Sequence, residues 1–162
     1  MKLPKRYIPK SLSKRDKKQQ VKMINKSKKM YKKGKYYTRK KVSSFKNKTS
    51  PHILKAQKIY KINKIKANKE LAKKTKCSVK ALRKIVKKGQ GAYYSSGSRP
   101  NQTGHSWGYA RLASSISGGK AAAVDFNILE KYCKKGSKAL RLAKRSRKKH
   151  GYGTRKVRKV KI

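Results

Sequence analysis

The sequence predicts a mainly α protein: a small helical core with a helix-turn-helix-like hairpin and a Gly/Ser/Tyr-rich central loop, flanked by long extended basic arms. Three observations carry this expectation. Charge is unevenly distributed: 52 Lys+Arg face 4 Asp+Glu over 162 residues, yet between Lys88 and Lys120 only Arg99 and Arg111 are charged. Apolar residues recur at helical spacing between about residues 70 and 143. Ser, Asn or Asp precedes most of those stretches, where a side-chain oxygen can take the first free N–H groups of a helix.

Residues 1–50 hold 20 Lys+Arg and one acid, Asp16. Their apolar residues are scattered without a period, so the segment is expected to be a basic extended arm, disordered when alone. Tyr7, Ile8, Met30, Tyr36 and Tyr37 would anchor it along a partner, with Lys between the anchors. Residues 51–67 are read as a connecting helix or linker. Ser50 caps it, Pro51 occupies the first helical position, and "HILKAQKIYKIN" is its body.

Residues 68–143 are expected to form the core. Asn68 caps a short helix through Thr75 with Glu70 in its first turn. Ser78 caps a second helix carrying Val79, Leu82, Ile85 and Val86 on one face, with Gly89 as its stop. The pair resembles the DNA-binding helix-turn-helix: Leu71, Ala72, Thr75, Cys77, Leu82 and Ile85 sit where that family keeps small or apolar residues, while Lys76 stands where it usually has Gly. Lys80, Arg83, Lys84 and Lys87 would then face a major groove. The same apolar spacing also suits a basic hairpin packed on the central segment.

The centre is a loop, "GQGAYYSSGSRPNQTGHS", with a short strand expected at Ala92–Ser95. A helix "SWGYARLASSI" follows, with Ser106 as cap and Gly118-Gly119 as stop. Asp125 is read as the cap of "FNILEKYC", and Gly136-Ser137 restart the chain into "KALRLAKRSRKKH". Residues 144–162 are a basic C-terminal tail. Burying lysine is costly, so the core must form where lysine is absent. In the loop, Tyr93, Tyr94, Ser98, Arg99, Gln102, Trp107 and Arg111 are candidates for partner contacts, with Arg99 and Gln102 around an anion or a carbonyl. The alternative is that they tie the loop to the helices that follow.

The net charge of +48 demands counter-ions or an anionic partner. Lys outnumbers Arg 41 to 11, and ammonium groups suit diffuse contact with phosphate, acidic protein or anionic lipid better than reading of base edges. Cys77 and Cys133 fit neither a disulfide framework nor a zinc spacing, and are expected as two reduced, buried side chains. No apolar run reaches the length of a membrane span, and the basic N-terminus lacks the apolar core of a signal peptide; an intracellular, non-integral protein is expected.

The carboxylates Asp16, Glu70, Asp125 and Glu130 make no acid/base pair in the sequence. His105-Ser106 lacks an orienting acid. The glycines at 89, 91, 97, 104 and 108 match no phosphate-binding fingerprint. No catalytic, metal-binding or cofactor residue is therefore expected, and no cofactor.

"GAYYSSGSRPNQT" followed closely by "SWGYARL" resembles a short domain of large DNA viruses, particularly the giant viruses of algae, over roughly Lys69 to Ala143. The resemblance implies a virion protein without assigned chemistry. It suggests a minor capsid protein cementing the inner side of the shell, with major and minor capsid proteins as partners. Its charge would face an anionic inner-membrane surface or viral DNA, without spanning the membrane. It would lie in the capsid interior, and inside the host cell during assembly. The alternative is a virion DNA-binding or genome-packaging protein.

Overall fold

The computed structural model describes residues 1–153 and 158–162. The mainly α class holds: among the described residues eight α-helices carry the fold, and the strands are two three-residue segments. The chain divides into two compact units. One comprises Met1–Lys48, Gln90–Trp107 and Lys156–Ile162; the other comprises Thr49–Gly89 and Gly108–Arg155.

In the first unit, β1 (Lys2–Pro4) pairs antiparallel with β2 (Lys159–Lys161), Leu3 opposite Val160. A 3-10 turn at Lys5–Tyr7 leads to α1 (Lys14–Lys32), whose cap Ser13 accepts a hydrogen bond from the Asp16 N–H. The basic segment expected as an extended arm is thus mostly folded. The reason is visible along α1. Asp16, Gln20, Met23, Ile24 and Ser27 are its buried residues, at spacings of one helical stripe, but three of the five are polar. An apolar pattern search does not see such a stripe.

Each polar member has partners. Asp16 accepts from the Ser44 N–H and hydroxyl, Gln20 Nε2 donates to the Tyr7 and Ser98 carbonyls, and Ser27 Oγ donates to the Tyr94 carbonyl. Leu3, Tyr7 and Ile24 form one small apolar cluster with Ile8, Val21 and Trp107. Leu12, Met23 and Val42 form another with Tyr37 and Phe45.

The second unit holds α2 (Pro51–Tyr60), α3 (Lys69–Thr75), α6 (Lys120–Val124), α7 (Phe126–Tyr132) and α8 (Lys138–His150). Ser50, Asn68 and Ser137 cap α2, α3 and α8 by accepting from the N–H groups of His52, Leu71 and Leu140. One core runs through these helices and the helical residues 79–89 and 108–116 of the same unit, and includes Tyr60, Leu71, Leu82, Ile85, Leu112, Ile116, Leu129 and Leu140. The Tyr60 hydroxyl reaches the Ile116 carbonyl, and burial pushes its pKa far above the ordinary tyrosine value.

The longest departures from expectation lie in the centre. α4 runs over Val79–Ser95 and α5 over Gly104–Ile116. Gly89 does not stop α4, and Ala92–Ser95 are helical, not strand. Gly89 serves close approach instead: a Cβ there would lie 2.6 Å from Gly108 Cα. Glycine in a helix is tolerated where another backbone passes this near. α5 starts three residues earlier than expected. Thr103 is the capping residue, with Ser106 N–H donating to its Oγ1 and Thr103 N–H donating to Ser106 Oγ, a reciprocal capping box. Of the expected C-terminal tail, residues 144–150 belong to α8 and residues 159–161 to β2, while residues 154–157 lie outside the described residues.

Cys77 and Cys133 are joined in a disulfide rather than kept as thiols. They face each other in an antiparallel bridge closed by Ser78 N–H to the Tyr132 carbonyl and Lys134 N–H to the Lys76 carbonyl. Their separation of 56 residues hides the pairing from sequence spacing.

Two outcomes follow for stability. Gly89→Ala raises helix propensity, worth about 1 kcal/mol in an open helix, yet it should destabilise by about 2 kcal/mol because the close approach to Gly108 is overpacked. A urea midpoint above wild type would contradict this. Reduction of the disulfide should cost about 4 kcal/mol from released loop entropy. An unchanged urea midpoint in reductant would contradict that.

Candidate nucleic-acid interface

The α3–α4 hairpin exposes one continuous cationic face. Lys76 closes the turn in a left-handed conformation, φ 57°, at the position where glycine would be expected. The turn is tightened by Thr75, whose Oγ1 donates to the Leu71 carbonyl and accepts from the Cys77 N–H. Leu71, Thr75, Cys77, Leu82 and Ile85 are buried, as the hairpin spacing requires. Lys80, Arg83, Lys84 and Lys87 are exposed and recur at the i, i+3, i+4, i+7 spacing of a single helix face.

The bridge at Cys77 and Cys133 brings Tyr132, the last residue of α7, beside this face. Lys84 Nζ donates to the Tyr132 hydroxyl at 3.2 Å. The ammonium groups of Lys84, Lys131 and Lys80 stand 5.0, 5.3 and 5.6 Å from the Tyr132 ring centre. The Lys84 hydrogen bond, with the nearby charges of Lys131 and Lys80, holds the Tyr132 hydroxyl below its ordinary pKa of 10.0. Three like charges around one ring repel one another, and an anion set among them relieves the repulsion. Sequence reading placed Tyr132 only within the helix "FNILEKYC", because Cys77, the partner that brings its neighbour Cys133 to this face, lies 56 residues from that cysteine.

Asp125 anchors the helices beneath. It is 1% exposed. Arg111 holds it with Nε to Oδ2 at 3.0 Å and Nη2 to Oδ1 at 2.8 Å; Ser115 Oγ donates to Oδ2 at 2.9 Å, and Lys88 Nζ lies 3.1 Å from Oδ1. Asp125 therefore makes no side-chain capping bond to α7, contrary to expectation. Arg111, expected as a partner contact, is committed to Asp125. Burial pushes the Asp125 carboxyl up, but the Arg111 hydrogen bonds and charge, Ser115 and Lys88 together bring it below its ordinary 3.8.

The expected loop contacts are mostly turned inward. Tyr93 and Ser98 are fully buried. They cradle Arg39, whose guanidinium donates to the Ser27 and Ser98 hydroxyls and the Tyr93 carbonyl and lies 3.7 Å from the Tyr93 ring centre. The Tyr93 hydroxyl donates to the Gln102 carbonyl, and Gln102 Oε1 accepts from Ser106. Trp107 packs edge-on against Tyr7 at 6.1 Å. Arg99 remains exposed. Of the expected arm anchors, Tyr7 is buried, Ile8, Met30 and Tyr37 are half-buried, and Tyr36 is open to solvent. Lys26 Nζ lies 4.5 Å from the Tyr37 ring centre. Among the described residues no group of His, Cys, Asp and Glu could hold a metal ion, and no helix is long and apolar enough to cross a membrane.

A family model described as a family of unknown function (DUF5824) matches residues 4–131, and the chain belongs to that family. The match takes in α1 and the stretch before α2, which lie outside the segment from Lys69 to Ala143 that carries the viral resemblance. None of the curated proteins and none of the solved structures matches the chain.

The Asp125 network has a signed consequence. A carboxyl with a depressed folded pKa contributes stability above its unfolded pKa, and loses it as pH falls through the folded value. Urea unfolding should therefore show an acid-side loss beginning near the ordinary 3.8 and extending below it. Asp125→Asn should remove that component and cost about 3 kcal/mol at neutral pH, the low end for a broken buried pair because Arg111 can partly rehydrate. A variant with wild-type stability and wild-type acid dependence would contradict the assignment.

Proposed function

We propose that this DUF5824 protein is a non-catalytic structural protein of a virus particle that binds nucleic acid through its phosphate backbone, with the α4 face as the principal contact. The observation that carries this reading is the cluster of Lys80, Lys84 and Lys131 around Tyr132, continuous with Arg83 and Lys87. These cations share one surface of folded helices, unlike a cloud of independent tails. Phosphate contact of this kind is sequence-independent and weakens steeply with salt. The excess of Lys over Arg fits backbone neutralisation better than bidentate reading of guanine. The virion setting comes from the resemblance of the central segment to a domain of large DNA viruses.

The capsid-cement reading takes second place. Tyr7 and Ile8, which would have anchored an arm on a neighbour, belong to an apolar cluster of the chain itself. What favours cementing is the exposure of Leu54, Val124 and Tyr152, at 55%, 42% and 72%. Apolar groups of this size left in water suit protein contacts. Salt extraction of opened particles separates the two roles: a genome binder leaves with DNA and is released as ionic strength rises, whereas a cement protein stays with shell fragments.

A chain of charge +48 binds polyanions whatever its shape, so the test must be positional. Lys80→Gln, Arg83→Gln, Lys84→Gln and Lys87→Gln are combined in one variant. The control combines Lys14→Gln, Arg15→Gln, Lys18→Gln and Lys22→Gln, four exposed cations of α1. Both lose four charges. The α4 variant should lower the magnitude of the salt slope for duplex binding by about 3 to 4, the value for four lost phosphate contacts, and the control by about 1 or less. Equal losses would show that no face is preferred.

A further inference from the structure

In the unit containing α1, a ledge of tyrosines faces water. Tyr36 is 70% exposed and Tyr31 37%. Their ring centres are 6.2 Å apart, and Tyr36 stands 5.1 Å from Tyr94, both pairs tilted by 53°. Beneath them Tyr94 meets the buried Tyr93 edge-on at 4.9 Å, and Tyr93 is fixed by Arg39. The ledge is therefore built on a rigid base. Gly34, with φ +71°, lets the chain reverse at the end of α1. Its N–H donates to the Tyr31 carbonyl and the Lys35 N–H to the Met30 carbonyl, which carries Tyr36 back beside Tyr31. Gly104 completes the seat, since a Cβ there would lie 2.8 Å from the Tyr94 hydroxyl oxygen.

Lys29, Lys32, Lys33 and Lys35 surround the ledge in sequence and are exposed. The chain has no Asp or Glu between Asp16 and Glu70. Open aromatic faces among unopposed cations fit a ligand that alternates flat π faces with anionic links. Single-stranded nucleic acid has that form, while a duplex hides its base faces in the stack.

We infer that the Tyr31–Tyr36–Tyr94 ledge stacks unpaired bases of single-stranded nucleic acid, with Tyr36 as the principal platform. This rests on the nucleic-acid reading above and adds to it a contact with bases, on a different set of residues.

The test compares the full chain on a thymidine oligonucleotide, an abasic strand of the same length and charge, and a duplex, by fluorescence anisotropy at one ionic strength. Wild type should prefer the thymidine strand over the abasic strand. Tyr36→Ala should weaken thymidine-strand binding about tenfold, within the range for one stacked base, and bring it to the abasic level. Tyr36→Trp should keep the preference. Duplex and abasic binding should be unchanged in both variants. In wild type and Tyr36→Ala, fluorescence of Trp107, their single tryptophan, checks that this unit is folded; Tyr36→Trp is checked by its urea midpoint. If wild type binds the thymidine and abasic strands equally, or if folded Tyr36→Ala keeps the preference, the inference is overturned. Salt-sensitive duplex binding that survives such a result leaves the backbone-binding reading standing, whereas absence of all binding removes both.

Discussion

Fifty-two cations and four carboxylates cannot neutralise one another within the chain, and each notable feature of the fold is a response to that ratio. Cations must stand in water, be satisfied by neutral acceptors, or share the few acids present. Asp125 shows the last solution: one buried carboxylate takes both Arg111 and Lys88 and a serine hydroxyl. Arg39 shows the second. Its buried guanidinium has hydroxyls, a carbonyl and an aromatic face, and burial lowers its pKa without approaching loss of the proton. The remaining cations line the exposed helix faces.

A core built under this constraint relies on small and hydroxylated residues. Ser114, Ser115, Ser117, Ser137 and Ser146 are buried in the second unit, and Gly89 meets Gly108 where no side chain could fit. Ser146 Oγ donates to the Gly119 carbonyl, and Ser117 Oγ to the Ala113 carbonyl. Such packing brings backbones close and leaves little room for error, which is why the disulfide and Asp125 carry weight out of proportion to their number. The same constraint leaves the α4 lysines crowded around Tyr132 with no carboxylate placed among them.

Much of the second unit was legible in the sequence. Ser50, Asn68, Ser78 and Ser137 mark helix starts through local chemistry that needs no tertiary context. Lys80, Arg83, Lys84 and Lys87 were singled out through the helix-turn-helix resemblance, and they lie on one exposed helix face. The first unit was not legible, because α1 buries Asp16, Gln20 and Ser27 along with Met23 and Ile24. Polar residues satisfied by distant carbonyls look, in sequence, like solvent-facing ones. Gly89 was misread for a related reason: a glycine that ends a helix and one that admits a second backbone have the same one-letter code. The place of Tyr132 depended on Cys77 and Cys133 meeting, a contact between segments that no local rule predicts.

The two units carry different surfaces: clustered cations around Tyr132 in one, and open tyrosines among lysines in the other. Lysine reactivity separates an organised surface from diffuse attraction most directly. Acetylation of the full chain with and without duplex DNA, read residue by residue by mass spectrometry, measures which ammonium groups become protected. If the α4 face is the principal phosphate contact, protection concentrates on Lys80, Lys84, Lys87 and Lys131, with weaker effects on the exposed lysines of α1 and α8. Protection spread evenly over all exposed lysines, or strongest away from α4, would contradict it.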